Sequence, residues 1–316
     1  MRDAYEIIII GGGPSGMTAG IYSARARMKT LLFEKMACGG QILVTDIIEN
    51  FPGFPEGIKG PDLAEWIFRQ AKRYGLEVET AEVVGISLKK EEKGLFAVSL
   101  SPGRKAQALS LIISTGAKWN SLDVPGEKEL TGRGISYCAT CDGPLFKNKD
   151  VVVVGGGNSA LEDALFLTKF AKAVTIVHRR GLLRATKILQ ERAFANDKVK
   201  VKFNSVAIEM LGVKKIEGVK IKDVNTGKDE ILKCDGVFVL IGMTPNSEMA
   251  KGILKLDEQG YIITDDDMRT SVDGIFACGD VRKKTLRQVV TATGDGATAA
   301  FSAQHYVERI KGTEYK

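Results

Sequence analysis

Ile7-Ile8-Ile9-Ile10-Gly11-Gly12-Gly13-Pro14-Ser15-Gly16 is a β-branched run that breaks into a glycine loop, and Val151-Val152-Val153-Val154-Gly155-Gly156-Gly157-Asn158-Ser159-Ala160 repeats it 144 positions later. Each loop opens a helix, expected over about 15–26 and 159–170. Each helix leads to a second strand, at 30–33 and 174–177. Strand, glycine turn, helix and parallel strand in about 30 residues make a βαβ unit. Two copies predict an α/β protein built from two Rossmann-like nucleotide-binding domains. Stretches 79–112 and 199–240 hold short apolar strands with glycine turns, for example 96–100 and 199–203. They are expected to form antiparallel layers on each core, giving a three-layer ββα plan. Stretch 51–57 reads as a loop by its Pro and Gly content.

The loop residues have separate tasks. Gly11 and Gly155 permit the tight turn, and Gly13 and Gly157 let backbone approach a pyrophosphate. Gly16 and Ala160 allow close helix–strand packing. The helix start then offers free N–H groups and a positive dipole end to phosphate.

The two copies differ where a ribose would lie. Twenty-three positions after Gly11 stands Glu34, and the same count from Gly155 reaches His178, followed by Arg179 and Arg180. An acid accepts hydrogen bonds from a ribose 2′- and 3′-hydroxyl pair. A cationic cluster suits a 2′-phosphate, and Arg184 can join it from one helical turn further on. Copy one therefore suits FAD, and copy two suits NADPH over NADH.

Between the copies lies Cys138-Ala139-Thr140-Cys141-Asp142. Two cysteines at this spacing can form and break a disulfide, which carries two electrons. Asp142 is adjacent and acidic, so it is the candidate proton donor and acceptor. The alternative is that it only shapes the Asp-Gly-Pro turn. A zinc site is not expected, because a second CxxC is absent and the histidines are only His178 and His305. Cys38, Cys234 and Cys278 read as unreactive thiols.

The apolar strands ending at Thr115-Gly116 and at Gly242 look like crossings between domains. They predict a discontinuous first domain, 1–117 with 247–316, and an inserted domain, 118–246, that carries the CxxC. Near the C-terminus, Gly279-Asp280 ends a strand, where Asp280 can meet a ribityl hydroxyl or the pyrophosphate. The Ala/Gly/Thr-rich segment 291–300 after it would allow a helix to approach a bound ring.

The chain has 316 residues, 44% apolar and 27% charged, with a net charge of +6. That bounds it to about two globular domains. No Lys/Arg run is interleaved with aromatics, so nucleic acid is not an expected partner. No segment reaches membrane-spanning length, and residues 1–6 lack a basic leader, so a cytoplasmic location is expected.

On these residues the chain resembles the low-molecular-weight, bacterial-type thioredoxin reductases of the flavoprotein disulfide reductase family. The carriers are the two glycine loops, Gly39-Gly40-Gln41, Glu49-Asn50-Phe51-Pro52-Gly53, the CxxC through Gly143, His178–Arg180 with Arg184, and Gly279-Asp280 followed by Arg287-Gln288. The resemblance implies that Gly11, Gly13, Pro14, Ser15, Gly16, Glu34, Gly40, Gln41, Asn50, Thr115, Gly116, Gly279, Asp280, Arg287 and Gln288 surround FAD. It implies that Gly155, Gly157, Asn158, Ser159, Ala160, His178, Arg179, Arg180 and Arg184 hold NADPH. It also implies a homodimer, a rotation between domains, and thioredoxin or a similar small redoxin as partner. In that scheme Cys141 faces the flavin and Cys138 attacks the partner disulfide. Cys278 and Ser114 depart from the common pattern, where alanine is usual. Other readings are a reductase of a glutaredoxin-like or peroxide-reducing protein, a ferredoxin- or flavodoxin-coupled flavoprotein, and a non-catalytic redox sensor.

Overall fold

The structure, a computed structural model, describes residues 4–45, 47–88 and 95–314. Residues 1–3 of the expected leaderless start, and 89–94 of the expected antiparallel layer, lie outside those described. The chain divides into two compact units, Met1–Lys118 with Thr244–Lys316, and Trp119–Met243.

In the first unit, Tyr5–Ile10 pairs in parallel with Thr30–Glu34 on one side and Lys105–Ile113 on the other. Glu77–Thr80 and Ile275–Ala277 extend the parallel part. Ile7 to Ile10 are each at most 2% exposed. A strand covered on both faces reads as an unbroken apolar run. Ile7 and Ile9 face a cluster holding Met17, Ala64 and Ala299, which lie on the helices Pro14–Arg25, Gly60–Arg73 and Val289–Lys311. Ile8 and Ile10 face the other way, against Phe96 and Val98. Those two sit on Phe96–Ser101, which runs antiparallel to Glu82–Leu88 and to Lys105–Ile113. Alternating side chains of one strand thus build both interfaces of a three-layer sandwich.

The second unit repeats the plan. Its parallel sheet has the order Ile135–Ser136, Gly236–Val239, Asp150–Val154, Ala173–Val177, Val199–Lys202. Val151 and Val153 pack on the helix side with Leu161 and Ala164, and Val152 and Val154 on the other side with Val219 and Ile221. The antiparallel layer is Ser205–Leu211, Gly218–Asp223 and Asp229–Lys233.

One expectation needs correction. The strand expected at 199–203 is not part of the antiparallel layer: Val199–Lys202 pairs in parallel with Ala173–Val177. The helix Lys187–Phe194 separates the two strands and makes a crossover, which returns the chain in the same direction. Gly236–Val239 likewise lies in the parallel sheet. The antiparallel layer starts only after Asn204, whose φ of 51° turns the chain.

Candidate active site

Gly11 donates its N–H to Phe33 O at 2.8 Å, and Gly155 donates to Val177 O at 3.1 Å, so both loops leave their strands in the same way. Gly11 has φ +105°, and a Cβ there would stand 2.6 Å from Ser114 O. A Cβ on Gly16 as placed would meet Gly11 O at 1.9 Å. At Gly13 and Gly157, by contrast, an added Cβ meets nothing within 4 Å. These are the positions read as the approach to a pyrophosphate. The helices Pro14–Arg25 and Asn158–Leu167 begin there with no side-chain cap, which leaves their first amides to serve a ligand anion. Pro14 is in the first turn, where its missing N–H costs nothing. Ser15 is buried beneath Gly279 and Gly296, and an added Cβ at Gly279 would meet Ser15 Oγ at 2.5 Å.

Several distant residues converge on the first loop. Gly39 donates its N–H to Gly12 O at 2.8 Å, and Gly40, at φ +60°, approaches the Gly13 backbone. Gln41 donates to Ala117 O. Glu34 accepts from Gly12 N–H at 2.7 Å and from Met36 N–H at 3.2 Å. Asn50 donates to Gln288 Oε1 at 2.9 Å. Thr115 and Asn246 exchange hydrogen bonds, with the Thr115 hydroxyl donating to Asn246 O at 2.6 Å and Asn246 Nδ2 donating to Thr115 O at 2.9 Å. The Asn246 N–H also reaches Gly116 O at 2.9 Å.

Asp280 Oδ1 and Arg287 Nε are buried and lack a hydrogen-bond partner. Burial pushes the Asp280 carboxyl up, and the Lys284 and Arg287 charges oppose that. The Arg287 guanidinium lies 4.2 Å from the Tyr261 ring centroid. Buried polar atoms without partners call for a ligand, and these two fit a group bearing hydroxyls and phosphates. Nearby is a set that sequence reasoning missed. Asp295 accepts from Gly279 N–H at 3.1 Å, from Lys284 Nζ at 2.8 Å and from Arg282 at 3.3 Å. Its sequence signal was an acid inside the small-residue helix.

In the second unit, the four basic residues divide by exposure. Arg179, Arg180 and Arg184 are exposed, whereas His178 is buried. The His178 ring fills the space beside Gly156, where a Cβ would meet Nδ1 at 2.1 Å, and its Nε2 lies 3.1 Å from Leu182 O. Burial holds its pKa below the ordinary value, and the three arginines add to that. The Arg184 N–H donates to Gly156 O at 2.7 Å, which ties the basic loop to the glycine loop. Asn158 Oδ1 accepts from Thr186 N–H at 2.8 Å.

Cys138 and Cys141 form a disulfide with Cα atoms 5.3 Å apart, both residues half-buried. Cys138 is the N-cap of the turn Ala139–Asp142, and its sulfur accepts from Cys141 N–H at 3.2 Å. The Cys138 N–H donates to Ser136 Oγ at 3.1 Å. Asp142 is half-buried at the end of the turn, where its N–H bonds Cys138 O at 3.1 Å. Tyr137 precedes the pair and donates its hydroxyl to the buried Glu127 at 3.0 Å. Glu127 also accepts from Asp123 N–H at 2.8 Å. Cys38, Cys234 and Cys278 are free thiols. Burial pushes Cys38 up to about 11, and Cys234 and Cys278 to about 12.

Two dinucleotide loops and a closed CxxC pair occupy one chain, and the sequence pattern of the pyridine nucleotide-disulphide oxidoreductases matches residues 5–296. The chain belongs to that family. Within it, the chain groups with thioredoxin reductases. That of Bacillus subtilis (strain 168) is 49% identical over 310 residues, covering 98% of this chain and 96% of that protein. That of Listeria monocytogenes is 47% identical over 308 residues, covering 97% and 95%. Among solved structures, the thioredoxin reductase from Streptococcus pyogenes MGAS5005 matches with a TM-score of 0.93 at 46% identity, over 98% of this chain and 100% of that one. The Lactococcus lactis enzyme, described as the FR conformation, matches with 0.66 at 44% identity, over 96% and 99%. Among the described residues, no helix is long and apolar enough to cross a membrane.

Proposed function

We propose that this chain reduces the disulfide of thioredoxin with electrons from NADPH, by way of FAD and the Cys138–Cys141 pair. The observation that carries the reading is the closed pair itself, in a chain whose two glycine loops face opposite chemistry at the ribose position. Supporting FAD in the first unit are Glu34, the open approach at Gly13, and the unpartnered Asp280 Oδ1 and Arg287 Nε. Supporting NADPH in the second unit are the open approach at Gly157 and the exposed Arg179, Arg180 and Arg184. In this reading His178 braces the loop from below instead of meeting the phosphate. The first unit is then the FAD domain and the second the NADPH domain.

FAD, when bound, supplies a two-electron carrier between nicotinamide and disulfide. The chain's own groups do the rest. The Cys138–Cys141 bond takes two electrons and two protons to become a dithiol, and Asp142 is the adjacent group that can give and take a proton. The Cys138 thiolate attacks one sulfur of oxidised thioredoxin, and a mixed disulfide forms as the partner's other sulfur leaves. Cys141 then attacks Cys138, which restores the internal disulfide and frees reduced thioredoxin.

A pair serving both a buried carrier and a protein partner needs two arrangements, so the reading includes a rotation of one unit against the other. The two solved thioredoxin reductases are nearly equally similar in sequence yet match over the full chain to very different extents, which supports it. A homodimer and a cytoplasmic location complete the reading, and three free thiols suit a reducing compartment. The test is an anaerobic titration of the yellow holoenzyme with NADPH and, separately, NADH, followed by oxidised thioredoxin. Bleaching by NADPH and recovery on thioredoxin addition are expected. Bleaching without recovery would overturn the assigned partner, and equal bleaching by both nucleotides the assigned reductant.

A further inference from the structure

Asp295 stands between Gly294 and Gly296 in the small-residue stretch of the helix Val289–Lys311. A Cβ on Gly296 would meet Ser15 O at 2.1 Å, so at this point the helix backbone touches the first turn of Pro14–Arg25. The Asp295 side chain is 12% exposed, and a carboxylate covered to that degree needs partners. The Gly279 N–H and the Lys284 ammonium share its Oδ2, at 3.1 and 2.8 Å. Arg282 Nη1 lies 3.3 Å from both of its oxygens. Arg282 is also held by Thr264, whose hydroxyl accepts from Nε at 2.7 Å. The side chains of Arg282 and Lys284 are as well covered as that of Asp295.

Asp280 follows Gly279 directly, and its Oδ1 is buried without a partner. The Lys284 ammonium stands beside the amide that leads into Asp280, because the two meet at one oxygen. A cation in that place is an ordinary mate for a buried carboxylate, yet it is bonded to Asp295 instead. Burial pushes the Asp280 carboxyl up, and Lys284 is the charge that opposes this most.

We infer that Asp295 is a positioning residue that draws Lys284 and Arg282 to itself and so reserves the Asp280 carboxylate for a ligand hydroxyl. The inference rests on the assignment of FAD to the first unit, and it says how one acceptor of that site is kept open. Where water is largely excluded, an ammonium attracts a carboxylate more strongly than a neutral hydroxyl does. In open competition Lys284 would displace the hydroxyl. Asp295 removes the competitor with a second carboxylate. Its bond to the Gly279 N–H also fixes the turn that carries Asp280.

The test measures FAD release without any turnover. Each holoenzyme is diluted in steps, and free FAD is separated by ultrafiltration and counted by its fluorescence. Asp295→Asn keeps an oxygen for the Gly279 N–H but loses the charge that holds Lys284. Its Kd for FAD should rise about tenfold. Adding Lys284→Met removes the competitor, and the double variant should return to within about threefold of the parent. Arg282 does not take over, because Thr264 still holds it. A merely structural Asp295 would give the opposite result, since a second change in the same cluster would add to the loss. An unmoved Kd in Asp295→Asn would overturn the proposal, and so would a double variant that binds FAD no better than Asp295→Asn. If Asp295→Asn does not fold, the double variant is read alone. A Kd within about threefold of the parent is expected there, and a rise of about tenfold or more would overturn the proposal. A parent that holds no FAD would overturn the cofactor assignment and this inference together. A yellow parent with an unmoved Asp295→Asn would overturn the inference alone.

Discussion

Asn50 and Gln288 are 238 residues apart in the chain, yet Asn50 Nδ2 donates to Gln288 Oε1 at 2.9 Å. Gln288 is also the N-cap of the long helix Val289–Lys311. Its side chain accepts from the Thr291 N–H, and the Thr291 hydroxyl accepts from the Gln288 N–H. One side chain thus ties the loop after Glu49 to the helix whose small residues pack on Pro14–Arg25. A capping box satisfies amides that would otherwise be left without partners.

Gln288→Ala removes both bonds. The lost cap alone should cost about 1 kcal/mol. For a unit of this size that is a fall of roughly 2–4 °C in the midpoint of thermal unfolding. Flavin fluorescence on heating reads it, since release of the bound flavin follows loss of the first unit. An unchanged release temperature would mean that the Asn50–Gln288 contact contributes no stability.

The nucleotide preference should lie in Arg179 and Arg180. Each is exposed on the loop that Arg184 N–H ties to Gly156. Changing either to Ala should remove a charge-assisted contact worth roughly 1.5–3 kcal/mol, a tenfold or larger rise in KM for NADPH. KM for NADH should hardly move. Equal effects on the two nucleotides would show that the cluster does not read a 2′-phosphate. His178→Asn is expected to harm both equally, because the ring supports Gly156 and the loop as a whole.

Thiol reactivity should separate cleanly. Cys38, Cys234 and Cys278 are pushed up to about 11, 12 and 12, chiefly by burial. The thiolate is the nucleophile, so at pH 8 these three are almost wholly protonated. Brief treatment of the NADPH-reduced enzyme with iodoacetamide should label Cys138 and Cys141 and spare the others. Labelling of Cys38 at a comparable rate would contradict its environment beside Glu34.

Most of the architecture was legible because its signals are local. Gly11 needs a left-handed φ, and Gly16 and Gly155 need room for a nearby carbonyl. Those demands show in three or four adjacent residues. The direction of Val199–Lys202 was not legible in the same way. It depends on whether a crossover helix forms at Lys187–Phe194, and that segment carries no clear capping signal. Register placed His178 opposite Glu34, but register does not say where a ring points. Asp295, Asp163 and Glu127 escaped notice for another reason. Each is an acid at least half covered by the fold, whose contacts are set by packing, as those of Asp295 with Lys284 and Arg282 are. Only the folded packing identifies such partners.

Asp163, half-buried on the helix Asn158–Leu167, predicts a dependence of stability on pH. Its folded pKa, about 6, lies above the ordinary 3.8. A carboxyl raised in this way favours the folded state fully below its unfolded pKa. That contribution is lost as pH rises through the folded value. The window is therefore about pH 4 to 6, and the loss is at most about 3 kcal/mol. Asp163→Asn does not ionise and should escape it. Urea midpoints of the oxidised enzyme at pH 4.5 and 7 should bring the variant up relative to the parent at the higher pH. A difference that stays constant across the two would place the raised pKa in doubt.

The two cysteines should separate by role. A single thiol cannot close a disulfide, so Cys138→Ser and Cys141→Ser should each abolish thioredoxin reduction. NADPH should still bleach the flavin in both, because that half-reaction does not use the pair. Cys138→Ser keeps Cys141, the thiol assigned to the flavin side. Its thiolate should give a long-wavelength charge-transfer band. Cys141→Ser keeps Cys138, whose sulfur already accepts the Cys141-position N–H at 3.2 Å. That hydrogen bond favours the thiolate, the form that attacks a disulfide. With the resolving thiol gone, the mixed disulfide has no internal route to collapse. Non-reducing gels should then show a covalent adduct with oxidised thioredoxin for Cys141→Ser only. If the band appeared in Cys141→Ser and the adduct only in Cys138→Ser, the two roles would have to be exchanged. Full turnover in either single variant would remove the disulfide from the electron path altogether.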